Sequence, residues 1–446
     1  MTLETEYGVP AVAVHADAFA RLVASVARVN GMPGARRAFV PTPVLNRTPD
    51  ELRAYIEGDD PVRGRPFMAE VVDALTKPVP PEELRGVGLD RSTPRHVEAE
   101  PGADMQRLFR ERGWTDMLPV VLPTEERVAA MLEGTSHDRD EIVGSLRPTN
   151  FREPWSFTVE KVAVNAVMAG AEPRYLPVIL ALAASGFTAR NSSTSSIGTM
   201  VVVNGPIREE IGMNAGIGAL GPYNHANATI GRAYGLLSQN LQGGSVPGET
   251  FMGSQGNPYA YSCVTFAEHE EASPWAPYHT LHGFSPEESA ATVFAVWGNV
   301  WTEGLRESWR EKIQAMIGGL EPFLGTTLVL DPIVARELVS RGIPDQEALI
   351  AWIHEHVRVP AGRYWDTYCA RNFIREDAEL GIEPFASYAT AEPDAAIPLF
   401  EPHRIHVVVA GGSTTGQWSA FSGAPLDPRF RLDPSLSPTV SIDRWR

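Results

Sequence analysis

The residues best suited to chemistry lie in one glycine-rich segment, residues 201–235. It contains seven glycines, and five of its hydrogen-bonding side chains are the candidates: Asn204, Arg208, Asn214, Asn227 and Arg232. Glycine lets a ligand approach the main chain closely, while amide and guanidinium groups supply fixed donors. The segment therefore predicts a pocket for a small polar or anionic ligand. The two arginines are expected to bind the anionic group, and the three asparagines to orient it.

The same segment is also consistent with a structural turn, because asparagine side chains commonly cap backbone groups. Asn227 is expected at the N-cap of a helix, where an anion would meet unpaired N–H groups. A dinucleotide site is not indicated. The run GIGALG at 216–221 fits the Rossmann glycine pattern poorly, and no acidic residue follows at the distance that ribose binding needs.

A second group of candidates follows an apolar run at 261–267. Glu268 and Glu271 come after this predicted strand, and His279 stands further along. Active sites of α/β proteins commonly lie at the carboxyl ends of strands, so these residues are candidates for general acid–base catalysis. An acidic surface loop is the alternative. The spacing matches no metal motif such as HExxH, and no metal ligand is assigned.

Two further parts of the sequence contain residue types that fit catalysis or binding. Lys161 shares a helix face with Asn165 and, if buried among the neighbouring valines, would be a base with a lowered pKa. An exposed lysine is the alternative. Ser413 and Thr414 stand in GGSTTG, a turn whose backbone amides are suited to an anion. The predicted pocket combines residues 204–232, 263–282 and 411–415.

Composition limits the class of partner. The 446-residue chain has a formal net charge of −17, which argues against nucleic acid and anionic membrane surfaces. Its two cysteines, Cys263 and Cys369, allow no disulfide framework, which suits the reducing cytoplasm. The first residues lack the features of a signal peptide, and the apolar runs are shorter than a membrane span. A cytoplasmic protein is expected.

The elements that must position these residues alternate between strands and helices, which predicts an α/β or mixed α+β fold. Residues 1–80 are predicted to form a small β-α-β-α lobe, with a buried strand at 9–14 and a helix capped by Thr48. The proline-rich residues 81–104 are expected to be a linker. Residues 105–446 are predicted to form a large pocket-bearing domain, which can be divided again at about residue 326. No repeat of fixed period is visible.

Eight stretches of the sequence resemble one known family. They are GVPAVAVHADAF (8–19), GWTDMLPVVLPTEERVAAML (113–132), TVEKVAVNAVMAG (158–170), NGPIREEIGMNAGIGALGP (204–222), NATIGRA (227–233), FAEHEEASPW (266–275), LDPIVARELVSRG (330–342) and VVVAGGSTTG (407–416). Through them the chain resembles the UGSC-type proteins, which are thiol or selenol oxidoreductases. The resemblance implies a fold more directly than an activity.

The resemblance also implies redox chemistry at a Sec/Cys-Gly-Ser-Cys motif placed just before the stretch equivalent to residues 8–19. The sequence has no such motif and no cysteine before Cys263. A large subunit is therefore expected, assembled with copies of itself or with a small CGSC-bearing partner. A protein that does not use thiol chemistry is the alternative. The few short strands of the N-terminal lobe also favour assembly, since they leave a sheet edge uncovered.

Together these observations predict an enzyme or a large enzyme subunit that acts on a small polar or anionic metabolite. Redox chemistry with a CGSC-type partner is expected. A cofactor-free or metal-dependent lyase or hydrolase is one alternative, and a non-catalytic binding or assembly subunit is another. The sequence identifies no cofactor.

Overall fold

A computed structural model describes most of the chain. The described residues are 3, 7–29, 33–45, 47–78, 95–97, 103–146, 155–190, 196–241, 247–248, 251, 253, 255–322, 325–425 and 437–446. Within these ranges, none of the helices has the length and apolar character needed to cross a membrane.

Helices and strands alternate along these residues, which confirms the predicted mixed α/β class. The strands are β1 (Ala13–Ala16), β2 (Arg37–Val40), β3 (Asp59–Asp60), β4 (Arg65–Pro66), β5 (Ile142–Leu146), β6 (Trp155–Thr158), β7 (Gly198–Asn204), β8 (Thr265–Ala267), β9 (Ala290–Glu303), β10 (Thr326–Leu330), β11 (Arg358–Pro360), β12 (Ala396–Pro398), β13 (Ile405–Val409), β14 (Gln417–Pro425) and β15 (Thr439–Ser441).

The helices vary from one turn to almost five turns. They are α1 (Ala20–Val29), α2 (Pro49–Glu57), α3 (Phe67–Thr76), α4 (Met105–Glu111), α5 (Glu125–Leu132), α6 (Val159–Ala169), α7 (Leu176–Ala184), α8 (Ile207–Glu210), α9 (His225–Leu241), α10 (Trp309–Gly318), α11 (Pro332–Ser340), α12 (Gln346–His356), α13 (Ala361–Asp366), α14 (Arg375–Glu379) and α15 (Phe385–Thr390).

Seven strands form the main sheet, in the order β13-β10-β14-β9-β7-β8, and β15 also pairs with β9. Strands β7 and β8 run parallel, with Val203 opposite Ala267. Strands β10 and β13 also run parallel, with Leu330 opposite Val409. Strand β9 is antiparallel to both β7 and β14, and so joins the two parallel pairs into one sheet.

The main sheet curves back on itself. The strands at the two ends of its order meet where the main-chain N–H of His269, just after β8, donates to the carbonyl oxygen of Val409 in β13 at 2.8 Å. All six strands of that order contribute to one inner hydrophobic cluster. It contains Met200, Val202, Phe266, Phe294, Val296, Val329, Val408 and Phe421, with Tyr278 among them.

The strand order repeats within the sheet. Residues 198–303 supply β7, β8 and β9, and residues 326–425 supply β10, β13 and β14. In each set the first strand lies between the other two, parallel to the second and antiparallel to the third. The sequence shows no matching repeat, so the two sets share topology and differ in side chains.

Helices cover the outer face of each set. Because side chains alternate along a strand, Val202 points into the inner cluster while Val201 and Val203 point outward. The outward residues of β7 pack with α6, α7 and α9, and those of β10 and β13 pack with α10, α11 and α12. Helix α6 follows Thr158, whose hydroxyl caps it by accepting a hydrogen bond from the N–H of Lys161.

The N-terminal residues have a small hydrophobic cluster of their own, formed by Ala38, Val40 and Phe67. Thr48 caps α2 through a reciprocal pair of hydrogen bonds with Glu51, as predicted. The buried strand predicted at 9–14 is wrong. The strand is Ala13–Ala16, it pairs with β2 alone in the described residues, and Val14 is 51% exposed. A run of small apolar residues marks a strand here without burying it.

The predicted linker, 81–104, lies largely outside the described residues. The division of the chain at residues 80 and 104 stays a prediction. Beyond residue 326 the strands join the same sheet as β7 and β9, while the helices around them pack in a separate hydrophobic cluster.

Candidate functional site

The structure brings together the three segments from which the pocket was predicted. The carbonyl oxygen of Ala215 accepts a hydrogen bond from the N–H of Gly411 at 2.9 Å. The Nδ1 of His269 donates to the carbonyl oxygen of Gly411, also at 2.9 Å. These contacts connect residues that follow β7, β8 and β13. The meeting point lies at the carboxyl ends of these strands, where α/β sites commonly form.

Glu268 is the central residue of this region. Its side chain is fully buried, and Oε2 accepts hydrogen bonds from Asn204 Nδ2 at 2.5 Å and from the N–H of Tyr278 at 2.7 Å. Burial raises the pKa of Glu268 to about 7, with a further increase from the nearby charge of Glu270. The two hydrogen bonds act in the opposite direction. Near neutral pH this carboxyl group can therefore hold or release a proton.

Asn204 is the last residue of β7 and positions two carboxyl groups at once. Its Nδ2 donates to Glu268 and, at 2.8 Å, to Glu270 Oε1. The N–H of Gly205 donates to the same Glu270 oxygen at 2.8 Å. Gly205 has φ +82, and a Cβ there would lie 2.2 Å from the carbonyl oxygen of Glu288. Only glycine fits at this turn, which fixes the direction in which Asn204 points.

Arg208 does not have a free guanidinium for an anionic ligand. It is buried, and its Nη2 contacts Glu270 at 2.8 Å and Glu271 at 2.7 Å. Nη1 donates to the carbonyl oxygen of Glu268 and to Glu271, while Nε donates to the carbonyl oxygen of Gly205. All five donors are thus used within the protein. The expectation that Arg208 binds an anionic group is wrong, because the neighbouring carboxylates occupy it.

Arg232 is also committed elsewhere. Its Nε and Nη2 each lie 3.0 Å from an oxygen of Asp116, and Nη2 donates to the carbonyl oxygen of Pro119 at 2.7 Å. This two-point ion pair ties helix α9 to the segment that precedes α5. These contacts give Arg232 a structural role in holding the two parts together, and its contact with an anionic ligand stays a prediction.

Asn214 and Asn227 stabilise the glycine-rich loop itself. Asn227 Oδ1 accepts from the N–H of Asn214, and its Nδ2 donates to the carbonyl oxygens of Asn214 and Ala219. Asn214 Nδ2 donates to Ile217 and Asn224. Helix α9 begins at His225, so Asn227 lies in its first turn and not at the N-cap. Both asparagines bond to backbone groups of the loop, as the alternative of a structural turn predicted. Their predicted contact with a ligand is not supported.

Three other predicted residues lie outside the buried cluster. Lys161 is exposed on α6, so it is not the buried lysine that the hypothesis requires. Ser413 and Thr414 are exposed as well. The N–H of Ser413 donates to Asp331 at 3.0 Å, and its hydroxyl accepts from Arg336 at 3.2 Å. The GGSTTG turn is thereby attached to the start of α11.

Glu271 and His279, the other predicted acid–base candidates, flank Glu268. Glu271 is half exposed, and its hydrogen bond with Arg208 lowers its pKa, so it is ionised. His279 is fully buried, and burial lowers its pKa. Its Nε2 lies 3.0 Å from the carbonyl oxygen of Ser285, which requires the proton on Nε2 and leaves Nδ1 as an acceptor.

Sequence reasoning missed three members of this region. Glu270 links Asn204 and Arg208, although its place between two predicted glutamates was a usable signal. Tyr278 donates its N–H to Glu268 and extends its ring into the inner cluster, where its hydroxyl lies 2.9 Å from His406 Nδ1. Burial lowers the pKa of His406 to about 3. No local pattern marks Tyr278 or His406, since both are brought in by the curvature of the sheet.

Comparison with known proteins supports the family resemblance over the N-terminal part of the chain. Residues 2–61 match the UGSC family. The matched residues include β1, β2 and the capped helix α2, and they end before the region around Glu268. No curated protein matches the chain.

The cysteines bear directly on the redox chemistry that the UGSC resemblance implies. Cys263 is buried, which raises the pKa of its thiol to about 11. The pKa of Cys369 is raised to about 12, first by burial and then by the negative charge of Glu321. A thiol reacts as its thiolate. These pKa values keep both thiols largely protonated at neutral pH, which is the less reactive form.

The side chains do not form a recognisable metal centre in the part of the chain that the structure describes. No group of three or more histidine, cysteine, aspartate or glutamate residues is arranged there to hold an ion. This region contains instead Glu268, whose pKa burial raises to about 7, and Arg208, which pairs with Glu270 and Glu271.

Proposed function

We propose that this protein is an enzyme, or the large subunit of one, that transfers a proton to or from a small polar metabolite through Glu268. The observation that carries the proposal is the full burial of Glu268 together with a pKa of about 7. A general acid–base group works best when its pKa lies near the working pH, because both protonation states are then populated.

The surroundings of Glu268 favour this role over a purely structural one. A structural carboxylate is usually paired with a positive side chain. Among the described residues, the Oε atoms of Glu268 accept instead from neutral groups: Asn204, the N–H of Tyr278 and, at 3.4 Å, the N–H of Val409. Arg208 reaches only its carbonyl oxygen. The charge of the side chain is therefore left uncompensated, a pattern typical of groups that change protonation state during catalysis.

The first test measures the protonation of Glu268 directly. Carbon-13 NMR of labelled glutamate side chains, with the Glu268 signal assigned by its loss in Glu268→Gln, should give a pKa near 7. Glu379, exposed on α14, provides a matched titration at an ordinary position. A Glu268 signal that titrates together with Glu379 would overturn the proposal.

The second test looks for the metabolite. Small polar compounds are screened by their effect on the melting temperature, and compounds that stabilise the protein are then assayed for turnover. Glu268→Gln should still bind such a compound and lose turnover by at least about a hundredfold. Equal turnover by wild type and Glu268→Gln would contradict the proposal. Binding without any turnover by the wild type would favour the non-catalytic binding subunit.

A redox function with a thiol partner is a second candidate, favoured by the match of residues 2–61 to the UGSC family. The raised pKa values of Cys263 and Cys369 mean that the reactive thiol would have to come from outside this sequence. Assembly with a small CGSC-bearing subunit, or with copies of this chain, would fit that requirement. Purification from the native host followed by native mass spectrometry tests it, since a bound CGSC-bearing polypeptide should appear at a fixed ratio.

A further inference from the structure

The buried cluster around Glu268 has more acceptors than donors. Asn204 Oδ1 and His279 Nδ1 are both buried, and neither has a hydrogen-bond partner among the described residues. Leaving a buried polar atom unpaired is energetically unfavourable, so two together indicate a place that a donor normally fills. The two atoms cannot form a hydrogen bond with each other, because both are acceptors.

The two unpaired atoms belong to the same region. Asn204 is held between Glu268 and Glu270 by its Nδ2, so its Oδ1 is fixed beside these carboxyl groups. His279 follows Tyr278, whose N–H bonds to Glu268, and it lies near enough to Glu270 and Arg208 for both charges to affect its pKa. Three glutamates face one arginine here, so carboxyl groups outnumber positive side chains in the cluster.

From this arrangement we infer that the cluster of Asn204, Glu268, Glu270 and His279 binds the protonated amine of a substrate. An ammonium group offers several N–H donors and a positive charge, and these are what the unpaired acceptors and the excess carboxylates lack. The inference rests on the proposed function of Glu268. It also changes the expected charge of the ligand from negative to positive, because the arginines of the glycine-rich segment are already paired.

The chemistry of the acceptors distinguishes an amine from a simple cation. Sodium, potassium and magnesium ions prefer oxygen ligands, whereas one of the two unpaired acceptors is an imidazole nitrogen. Imidazole would also suit zinc, but no set of three metal-binding side chains is assembled among the described residues. Glu271, which is 52% exposed, marks the side on which the cluster meets solvent.

The test is an NMR titration of Glu268 in the full chain with methylammonium chloride as the probe, beside potassium chloride, zinc chloride and sodium acetate. Binding of methylammonium should favour ionised Glu268 and lower its pKa by at least one unit. By linkage, the affinity for methylammonium should rise at least about sevenfold between pH 5.5 and pH 8. His279→Leu, which removes the Nδ1 acceptor, should weaken this binding about tenfold, and the exposed control His356→Leu should not.

The outcomes separate the inference from the proposed function. A pKa near 7 that methylammonium leaves unchanged, or that potassium shifts equally, would overturn the amine assignment and leave the role of Glu268 intact. Tighter binding of zinc or acetate than of methylammonium would overturn it as well. An ordinary pKa for Glu268 in the protein alone would instead overturn the proposed function. If His279→Leu fails to fold, the wild-type titration still decides the question.

Discussion

Arg232 and Asp116 form a two-point ion pair, with Nε–Oδ2 and Nη2–Oδ1 distances of 3.0 Å. The carboxylate is almost completely buried, with 2% of its side chain exposed, whereas 20% of the arginine side chain remains exposed. The guanidinium thus supplies most of the compensation that a buried aspartate needs. The pair explains why Arg232, which lies in the segment predicted to form a ligand pocket, connects two distant parts of the fold.

Arg232→Ala is expected to destabilise the protein by about 3–5 kcal/mol, because it leaves Asp116 charged, buried and unpaired. The loss should be read from the free energy of unfolding in urea. The double variant Arg232→Ala, Asp116→Ala removes both charges and should recover part of that loss. A double variant less stable than Arg232→Ala would show that the pair is not the reason.

Glu268→Gln is expected to change how stability depends on pH. The folded state raises the pKa of Glu268 from 4.5 to about 7, so the folded state holds the proton more tightly than the unfolded state. The contribution of Glu268 to the free energy of unfolding is fully present below pH 4.5. It decreases as the pH rises from 4.5 to 7 and does not change further above pH 7. The total fall is about 3 kcal/mol. Glutamine stays neutral, so the Glu268→Gln variant should not show this decrease in stability.

The measurement compares urea unfolding of wild type and Glu268→Gln at pH 4.5, 6 and 8. The variant should gain stability relative to the wild type with each step. A constant difference across these pH values would mean that Glu268 does not titrate between them. Glu379→Gln, at an exposed position, is the control and should show no such gain.

Gly205→Ala is expected to destabilise the protein by about 2–4 kcal/mol, since alanine is strained at φ +82 and its Cβ would meet the Glu288 carbonyl at 2.2 Å. Gly212→Ala is the matched control. Gly212 has φ +69 with nothing within 4 Å of the added carbon, so only the backbone strain of about 1 kcal/mol applies. Thermal unfolding of both variants gives the comparison, and equal losses would contradict the steric argument.

Cys263 and Cys369 are expected to resist alkylation in the folded protein. With thiol pKa values of about 11 and 12, each should react with iodoacetamide at pH 7.5 at least about a hundredfold more slowly than an exposed cysteine. Intact mass spectrometry over time provides the rate, and the same reaction in urea provides the reference. Rapid labelling of either cysteine before unfolding would restore it as a candidate nucleophile.

Local patterns predicted those features that depend on neighbouring residues. Thr48 caps its helix as predicted because the cap needs only the next three residues. The place of Glu268 followed from an apolar run that ends in a carboxylate. The partners of the arginines did not follow, since Arg232 pairs with Asp116 at a separation of 116 residues. Charge alone predicts that an arginine binds an anion, and only the fold decides that the anion belongs to the protein.

The repeated strand order also bears on how the protein folds. Each set of three strands comes from a contiguous part of the chain, so its internal contacts close shorter loops than the contact between Glu268 and Val409, which are 141 residues apart. Short loops close first because they lose less entropy. The two sets should therefore form as separate nuclei and join late through β9 and β14. Glu268 would acquire its burial, and with it the capacity to exchange a proton near neutral pH, only in that last step.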